Sequence, residues 1–180
     1  MGHNTWKVIS SSVRHSNPYF TVLQHDVTDA DDTHRDYYTI AFPRPAVGVV
    51  ARHGTDILLI RQYRFIVDEY VWAIPSGGVD EEETPVDAAR RELEEETGYT
   101  AKHMDPLMHC YASYGCSNQR FEIFIANDVA PISSGFDRSE VLQVRWFRRN
   151  EIVDLVKRNG IVDNLSLSPI LLTLMRGGQC

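Results

Sequence analysis

The chain has 180 residues, 43% of them hydrophobic, which supports one domain with a real core and is too little for two of full size. No stretch approaches the roughly 18 apolar residues needed to cross a bilayer, and the start Met1-Gly2-His3-Asn4 lacks the basic-then-apolar order of a secretory signal. A formal charge of −7, from 18 Lys and Arg against 25 Asp and Glu, argues against non-specific binding to nucleic acid.

Residues 1–43 read as a polar, strand-rich extension. Trp6 to Ile9, Tyr19 to Leu23 and Tyr37 to Phe42 are its strand candidates, and the Asp-rich run from Asp26 to Asp36 is expected to be a turn or hairpin tip. Three short strands bury little alone, so the extension must pack on the main domain or on a second subunit. Pro43 and Pro45 mark a boundary, and the main domain is expected to span 44–180. There Ala46 to Ala51 and Ile57 to Tyr63 form a hairpin around His53-Gly54-Thr55-Asp56. Val71 to Pro75 is a brief strand running into Ser76-Gly77-Gly78. Later strands are expected at Cys110 to Ala112, Phe121 to Ala126 and Gln143 to Phe147, the last with Val144 and Trp146 on one face. The tail from Arg149 to Met175 reads as helical, broken at Asn159-Gly160 and again over Ser166 to Pro169. Strands interspersed with helices predict an α/β domain layered around a mixed sheet.

The most informative segment runs from Gly77 to Tyr99. Thr84 can cap a helix, Pro85 suits its first position, Asp87 stands where a capping box needs an acid, and Gly98 can end it. A helix is therefore expected from Pro85 to Thr97, burying Val86, Ala89 and Leu93. Glu92, Glu95 and Glu96 stand at i, i+3 and i+4, so their carboxylates share one side of the helix. Such like charges repel by roughly 0.2–0.5 kcal/mol per exposed pair, and a hard divalent cation removes the penalty. A Glu-rich face is more often merely solvated, but here the glycine pair, acidic loop, capped helix and closing glycine form one ordered unit.

That unit resembles the Nudix box of the Nudix hydrolases, with Gly77, Glu83, Arg91, Glu92, Leu93, Glu95, Glu96, Gly98 and Tyr99 at the specified positions. The stretches from Arg44 to Gly48, Gln62-Tyr63-Arg64 and Trp72 to Gly78 resemble the ADP-ribose and nucleoside-sugar diphosphate branch. The resemblance implies an α/β/α sandwich around a mixed sheet and hydrolysis of a diphosphate linkage in a nucleotide-like substrate, giving two monophosphates. It also implies dependence on Mg²⁺ or Mn²⁺. Metal ligands would be Glu92, Glu95 and Glu96, with Glu83 joining through water and Gly77 through its carbonyl. Arg91 would orient a carboxylate by charge-assisted hydrogen bonds. The substrate would lie against Gly77 and Gly78. The extension and the Gln62-Tyr63-Arg64 region would hold its sugar or base, with Arg61 and Arg64 as phosphate or ribose contacts. The extension would also pair subunits into a homodimer.

Two positions depart from that branch. Where relatives carry Ser-Pro-Gly followed by a glutamate, this chain has Ser113-Tyr114-Gly115 and then Gln119. Gln cannot accept a proton, so the general base must come from elsewhere: Glu95, Glu96, Glu122 or Glu140. Tyr114 is a candidate for stacking on a base. The departures leave open other nucleotides as substrate, such as a nucleoside triphosphate or a dinucleotide, and a binding module without turnover. His25, His34 and His53 are expected in turns, and His103 and His109 near the link after the helix. Cys110, Cys116 and Cys180 are scattered and odd in number, which points to a reducing compartment and makes the cytoplasm the expected location. Cys116, in a loop, is the one thiol with a chance of being reactive.

Overall fold

The computed structural model describes residues 6–133 and 135–176. Its chain divides into two compact units, 1–44 with 111–120, and 45–110 with 121–180.

The first unit holds an antiparallel three-stranded sheet of β1 (Lys7–Ser16), β2 (Thr21–Thr28) and β3 (His34–Ala41), in that order. These strands are longer than the apolar fragments that announced them. Ser10 to Ser16 alternates no apolar residues, yet pairs through its backbone, with bulges at Val8/Ser10 and Val13/His15. The expected Asp26 to Asp36 turn narrows to a tip between Thr28 and His34. There the Asp29 carboxylate accepts from the N–H groups of Asp31 (3.0 Å) and Thr33 (3.1 Å) and pairs with Arg35. His25 and His34 therefore lie in strands: His25 bridges Ser11 and Thr39, and His34 pairs with Asp26 at 2.8 Å. All ten residues of β1 are exposed. The loop 111–120 docks on this sheet through Ile40 N–H to Cys116 O (2.8 Å) and Phe42 N–H to Asn118 Oδ1 (2.7 Å).

The second unit is a mixed sheet built from β4 (Ala46–His53), β5 (Asp56–Arg64), β6 (Glu69–Ala73), β7 (Ser76–Gly78), β9 (Met104–Tyr111), β10 (Arg120–Asn127) and β12 (Gln143–Phe147). Its main order is β12-β5-β4-β10-β9, with β6 on β5 and β7 on β4. The pairing of β4 with β10 is parallel, while β4 runs antiparallel to β5 and β7. A small ladder joins β8 (Tyr99–Thr100) to β11 (Ala130–Pro131).

Helix α1 (Pro85–Thr97) covers one face, and α2 (Arg149–Lys157) and α3 (Asn164–Arg176) cover the other. Strand alternation sorts the core accordingly. Val47, Val49, Leu58 and Phe124 pack with Ala88, Ala89 and Leu93 of α1. Val50, Ile57, Leu59 and Ile123 pack with Ile152, Leu155, Leu165 and Ile170 of α2 and α3. The predicted layering of helices on both faces of a mixed sheet holds.

Two local expectations need correction. Ser166 to Pro169 does not break the tail, because Asp163 caps α3: its carboxylate accepts from Ser166 N–H (3.1 Å) and Ser166 Oγ (2.9 Å), which carries the helix through Pro169. On α1, Val86 is only partly buried, and Ala88 shares the inner face with Ala89 and Leu93. The break at Asn159 is present, with φ at +56°.

Candidate active site

The helix that carries the acidic residues is fixed at both ends by its own sequence. Thr84 Oγ1 accepts from Asp87 N–H (3.3 Å) and donates to the Asp87 carboxylate (2.5 Å), so the acid closes the cap through the threonine hydroxyl. Gly98 stops the helix at φ +72°, its N–H bonded to Glu94 O (2.9 Å). A Cβ there would also lie 2.9 Å from the carbonyl carbon of Gly135, so this position needs glycine twice over.

Arg91 is the hub. Nε and Nη2 donate to the two oxygens of Glu83, each at 3.1 Å, a bidentate pair. Nη2 also donates to Gly78 O (2.9 Å), and Nη1 to Glu92 (2.7 Å) and Glu95 (3.2 Å). The guanidinium holds the Glu83 carboxyl below its usual range.

Glu92, Glu95 and Glu96, grouped on one side by the helical spacing, sit in different surroundings. Glu95 is exposed. Glu92 is partly buried, and its carboxylate lies where a side chain on Gly77 would be: a Cβ there would fall 2.1 Å from Oε1. Burial pushes the Glu92 carboxyl up; Arg91 opposes this, and the charges of Glu95 and Glu140 add to it. Glu96 is buried, one oxygen accepting from Ser76 N–H (2.6 Å) and the other from Gln62 Nε2 (2.5 Å). Burial pushes Glu96 up to about 7 despite the Ser76 N–H. Among the described residues no three acidic, histidine or cysteine side chains yet surround a common point. Arg91 occupies the space between Glu83, Glu92 and Glu95.

Alternation along β5 separates two residues that the sequence paired. Gln62 and Arg64 follow Ile60 on the α1 side, and Arg64 stands within electrostatic reach of Glu96. Arg61 is on the other side, 5.4 Å over the Tyr70 ring. Gln62, expected to help hold a sugar or base, is instead buried against Glu96, and its Oε1 has no partner. The available signal was a glutamine in the inward phase of an apolar strand. Ser76, which holds the second oxygen of Glu96 by its backbone, carried no sequence signal.

Glu122 pairs in register with Val47, whose other neighbour is Gly77, and it shares a strand face with Phe124 of the α1 layer. Glu140 lies in a loop held against α1 and β5 by Asp137 N–H to Glu95 O (2.8 Å) and Leu142 N–H to Arg61 O (2.9 Å). Tyr114 belongs to the first unit, 89% exposed, and lines a cavity of about 400 Å³ there with Tyr37 and Tyr111. Cys110 and Cys116 are free thiols, and burial pushes Cys110 up. Cys180 lies outside the described residues.

The NUDIX domain family matches residues 42–165. The chain belongs to the Nudix family. It is a Nudix hydrolase, and its chemistry is cleavage of a diphosphate linkage. Among curated Nudix relatives it is 31% identical over 129 residues to the ADP compounds hydrolase NudE of Escherichia coli, covering 71% of this chain and 69% of that one. Over 173 residues it is 27% identical to the CMP-5'-(N-acetyl-N-hydroxy-3-aminopropyl)phosphonate hydrolase of Streptomyces rubellomurinus, covering 96% of this chain and 84% of the relative. It is 29% identical over 109 residues to the ADP-ribose pyrophosphatase of Bacillus subtilis, 59% of each chain. The Nudix fold is matched by the crystal structure of an ADP compounds hydrolase, with a TM-score of 0.86 at 22% identity over 99% of this chain and 98% of that one. No helix among the described residues is long and apolar enough to cross a membrane.

Proposed function

We propose that this enzyme hydrolyses a nucleoside diphosphate derivative, ADP-ribose or a nucleotide sugar in first place, to two monophosphates, using Mg²⁺ or Mn²⁺. The observation that carries the reading is the carboxylate set around Gly77: Glu92 folded over the glycine, Glu96 held through both oxygens, and Glu83 and Glu95 tied to Arg91. The relatives named for ADP-ribose, ADP compounds and a CMP-linked phosphonate support a nucleotidyl substrate.

The donor set fits a hard divalent cation. It is all oxygen, and the burial and mutual repulsion that raise Glu92 and Glu96 are what a cation would relieve. Glu92, Glu95 and Glu96 would hold it, with Glu83 through water and the Gly77 carbonyl. The chemistry supplied on binding is polarisation of a phosphoryl oxygen and stabilisation of the leaving phosphate.

The remaining tasks fall to the chain. Arg64 binds a phosphate on the Glu96 side of the sheet, and Gly77 and Gly78 allow the diphosphate close to the backbone. Arg61, against Tyr70, is assigned no direct contact. Glu96, with both oxygens engaged, orients and does not collect the proton. Glu140 takes the proton from the attacking water: its charge is felt at Glu92, and its loop is anchored to the helix. Glu122 is the second candidate for that role, supported by its register with Val47 and Gly77.

The first unit, 1–43 in outline, is proposed to pair two copies of the chain. Val8, Ile9 and Val13 on the fully exposed β1 leave apolar side chains and a strand edge in solvent, the usual liability that a partner strand removes. The two free thiols support a reducing, cytoplasmic setting.

The test is a panel of ADP-ribose, nucleotide sugars, NADH, dinucleoside polyphosphates, coenzyme A and nucleoside triphosphates, with products read by mass and a Glu95→Gln/Glu96→Gln double variant as control. Two monophosphates from one diphosphate compound, with metal and not with the variant, establish the reading. Turnover only of nucleoside triphosphates would overturn the substrate class. Glu140→Gln should lose activity far more than Glu122→Gln. Sedimentation should give a dimer that Val8→Asp/Val13→Asp disrupts.

A further inference from the structure

Glu140, given the proton-accepting role above, is exposed and makes no hydrogen bond or ion pair of its own among the described residues. A free glutamate side chain turns about several bonds, so its reach depends on how firmly the backbone beneath it is held. A misplacement of roughly 1 Å in a reacting constellation costs about 100-fold in rate. What fixes the backbone of 135–142 is therefore a catalytic question.

Val141 is buried with Ile60 and Ala73, and Phe136 packs against the same cluster. Between these anchors Asp137, Arg138, Ser139 and Glu140 are all exposed, so burial does not order the stretch. Asp137 ties it through its N–H, its carbonyl and its carboxylate. The N–H donates to Glu95 O at 2.8 Å, filling one of the carbonyls that the end of α1 leaves unpaired. The carbonyl accepts from Val141 N–H at 3.1 Å, closing one helical turn that contains Glu140. Oδ1 accepts from Ser139 N–H and from Ser139 Oγ, each at 2.7 Å. An aspartate bonded to the backbone two residues on favours a turn there. Beyond it, Leu142 N–H donates to Arg61 O at 2.9 Å and holds the far end to β5. The turn thus stands on the helix that carries the glutamates, and the charge of Glu140 is felt at Glu92.

We propose that Asp137 is a positioning residue for the hydrolysis: it holds the turn 137–141 on the Glu95 carbonyl and so sets Glu140 in register with the glutamates of α1. This deepens the functional reading above and rests on its assignment of Glu140. Asp137 touches no substrate and takes no proton. Its carboxylate acts only as a hydrogen-bond acceptor toward Ser139. Asparagine keeps that oxygen and alanine does not. The negative charge is dispensable, which separates this role from that of a metal ligand.

The experiment is a double-mutant cycle between Asp137→Ala and Glu140→Gln in the full chain, with Asp137→Asn as the conservative variant. Asp137 is exposed, so neither substitution disturbs the core. On the preferred diphosphate compound kcat and KM are measured, with Mn²⁺ affinity by electron paramagnetic resonance. Amide exchange of 138–142 is followed by mass spectrometry in EDTA, which reads the order of the turn without metal or turnover. Asp137→Ala should speed exchange there and lower kcat by up to about 100-fold, with KM and Mn²⁺ affinity unchanged. Asp137→Asn should match wild type in both exchange and kcat. In the Glu140→Gln background Asp137→Ala should cost nothing further, because a residue acting through Glu140 has nothing left to position. An equal loss with and without Glu140 would overturn the proposal. So would unchanged exchange in Asp137→Ala, or a loss in Asp137→Asn as large as in Asp137→Ala. Wild-type hydrolysis that survives intact in Glu140→Gln sinks the assignment of Glu140 and this inference with it. No hydrolysis of any diphosphate compound by wild type sinks the functional reading itself.

Discussion

Replacing Gly77 by alanine should separate folding from function. An alanine Cβ would lie 2.1 Å from Glu92 Oε1, 2.3 Å from Cδ and 2.6 Å from Oε2. Ordinary contact begins at 3.4 Å, so the nearest oxygen must retreat by 3.4 − 2.1 = 1.3 Å. The group displaced is the far end of a flexible side chain, and the strand backbone at Gly77 has no positive φ for a β-carbon to strain. An off-rotamer glutamate costs about 0.5–1.5 kcal/mol. At roughly 2–4 °C per kcal/mol for a chain of this size, Tm should fall by at most about 6 °C. Function should suffer more, since a misplacement of roughly 1 Å in a reacting constellation costs about 100-fold. The assay is kcat/KM on the preferred diphosphate compound, beside Mn²⁺ affinity by electron paramagnetic resonance and Tm by calorimetry. Gly115→Ala in the first unit is the control, because a Cβ there also meets nothing within 4 Å. If Gly77→Ala keeps wild-type kcat/KM and Mn²⁺ affinity, the seating of Glu92 over Gly77 is irrelevant to the reaction and the reasoning fails.

Other expectations follow from the same contacts. Glu96 is raised in the fold from an ordinary 4.5 to about 7, so the native state binds more protons than the unfolded chain between those values. The stability of the metal-free protein should therefore be highest below about pH 4.5 as far as this group is concerned, and should fall by about 3 kcal/mol as pH rises to 7. Calorimetry in EDTA should show that fall reduced in Glu96→Gln, and a pH-independent difference between the two proteins would refute it. Gln62→Leu removes the amide that holds Glu96, leaving a buried oxygen short of a partner, so Mn²⁺ affinity should drop about tenfold with Tm lowered by several degrees. Thr84→Ala removes the cap of α1 and should destabilise by about 1 kcal/mol without changing KM. Leu93→Ala empties a fully buried position between α1 and the sheet and should cost about 2–5 kcal/mol, read by urea unfolding.

The helix from Pro85 to Thr97 was legible because its signals are local. A cap, a proline at the first turn and a terminal glycine act within a few residues, and so the sequence sets both ends. The strands around the core were legible for the same reason, since Ala46 to Ala51 and Ile57 to Ile60 are apolar enough to require burial wherever they lie. The length of β1 beyond Ile9 and the narrow hairpin tip were not, because a polar strand exposed on both faces owes its existence to pairing and leaves no pattern in its side chains. The tail break at Ser166 to Pro169 was misread because Asp163 supplies the first turn with acceptors, which the proline signal does not reveal.

The sequence by itself determined that one helix carries Arg91 together with Glu92, Glu95 and Glu96 on one side, after a glycine pair, because 3.6-residue periodicity and capping chemistry require nothing from the rest of the chain. Only the tertiary structure decided how those glutamates differ. Glu92 meets Gly77 and Glu96 meets Ser76 and Gln62 across strands 15 to 34 residues away in the chain. Burial and hydrogen bonding, which set each carboxylate's charge and aim, depend on neighbours that only folding brings together.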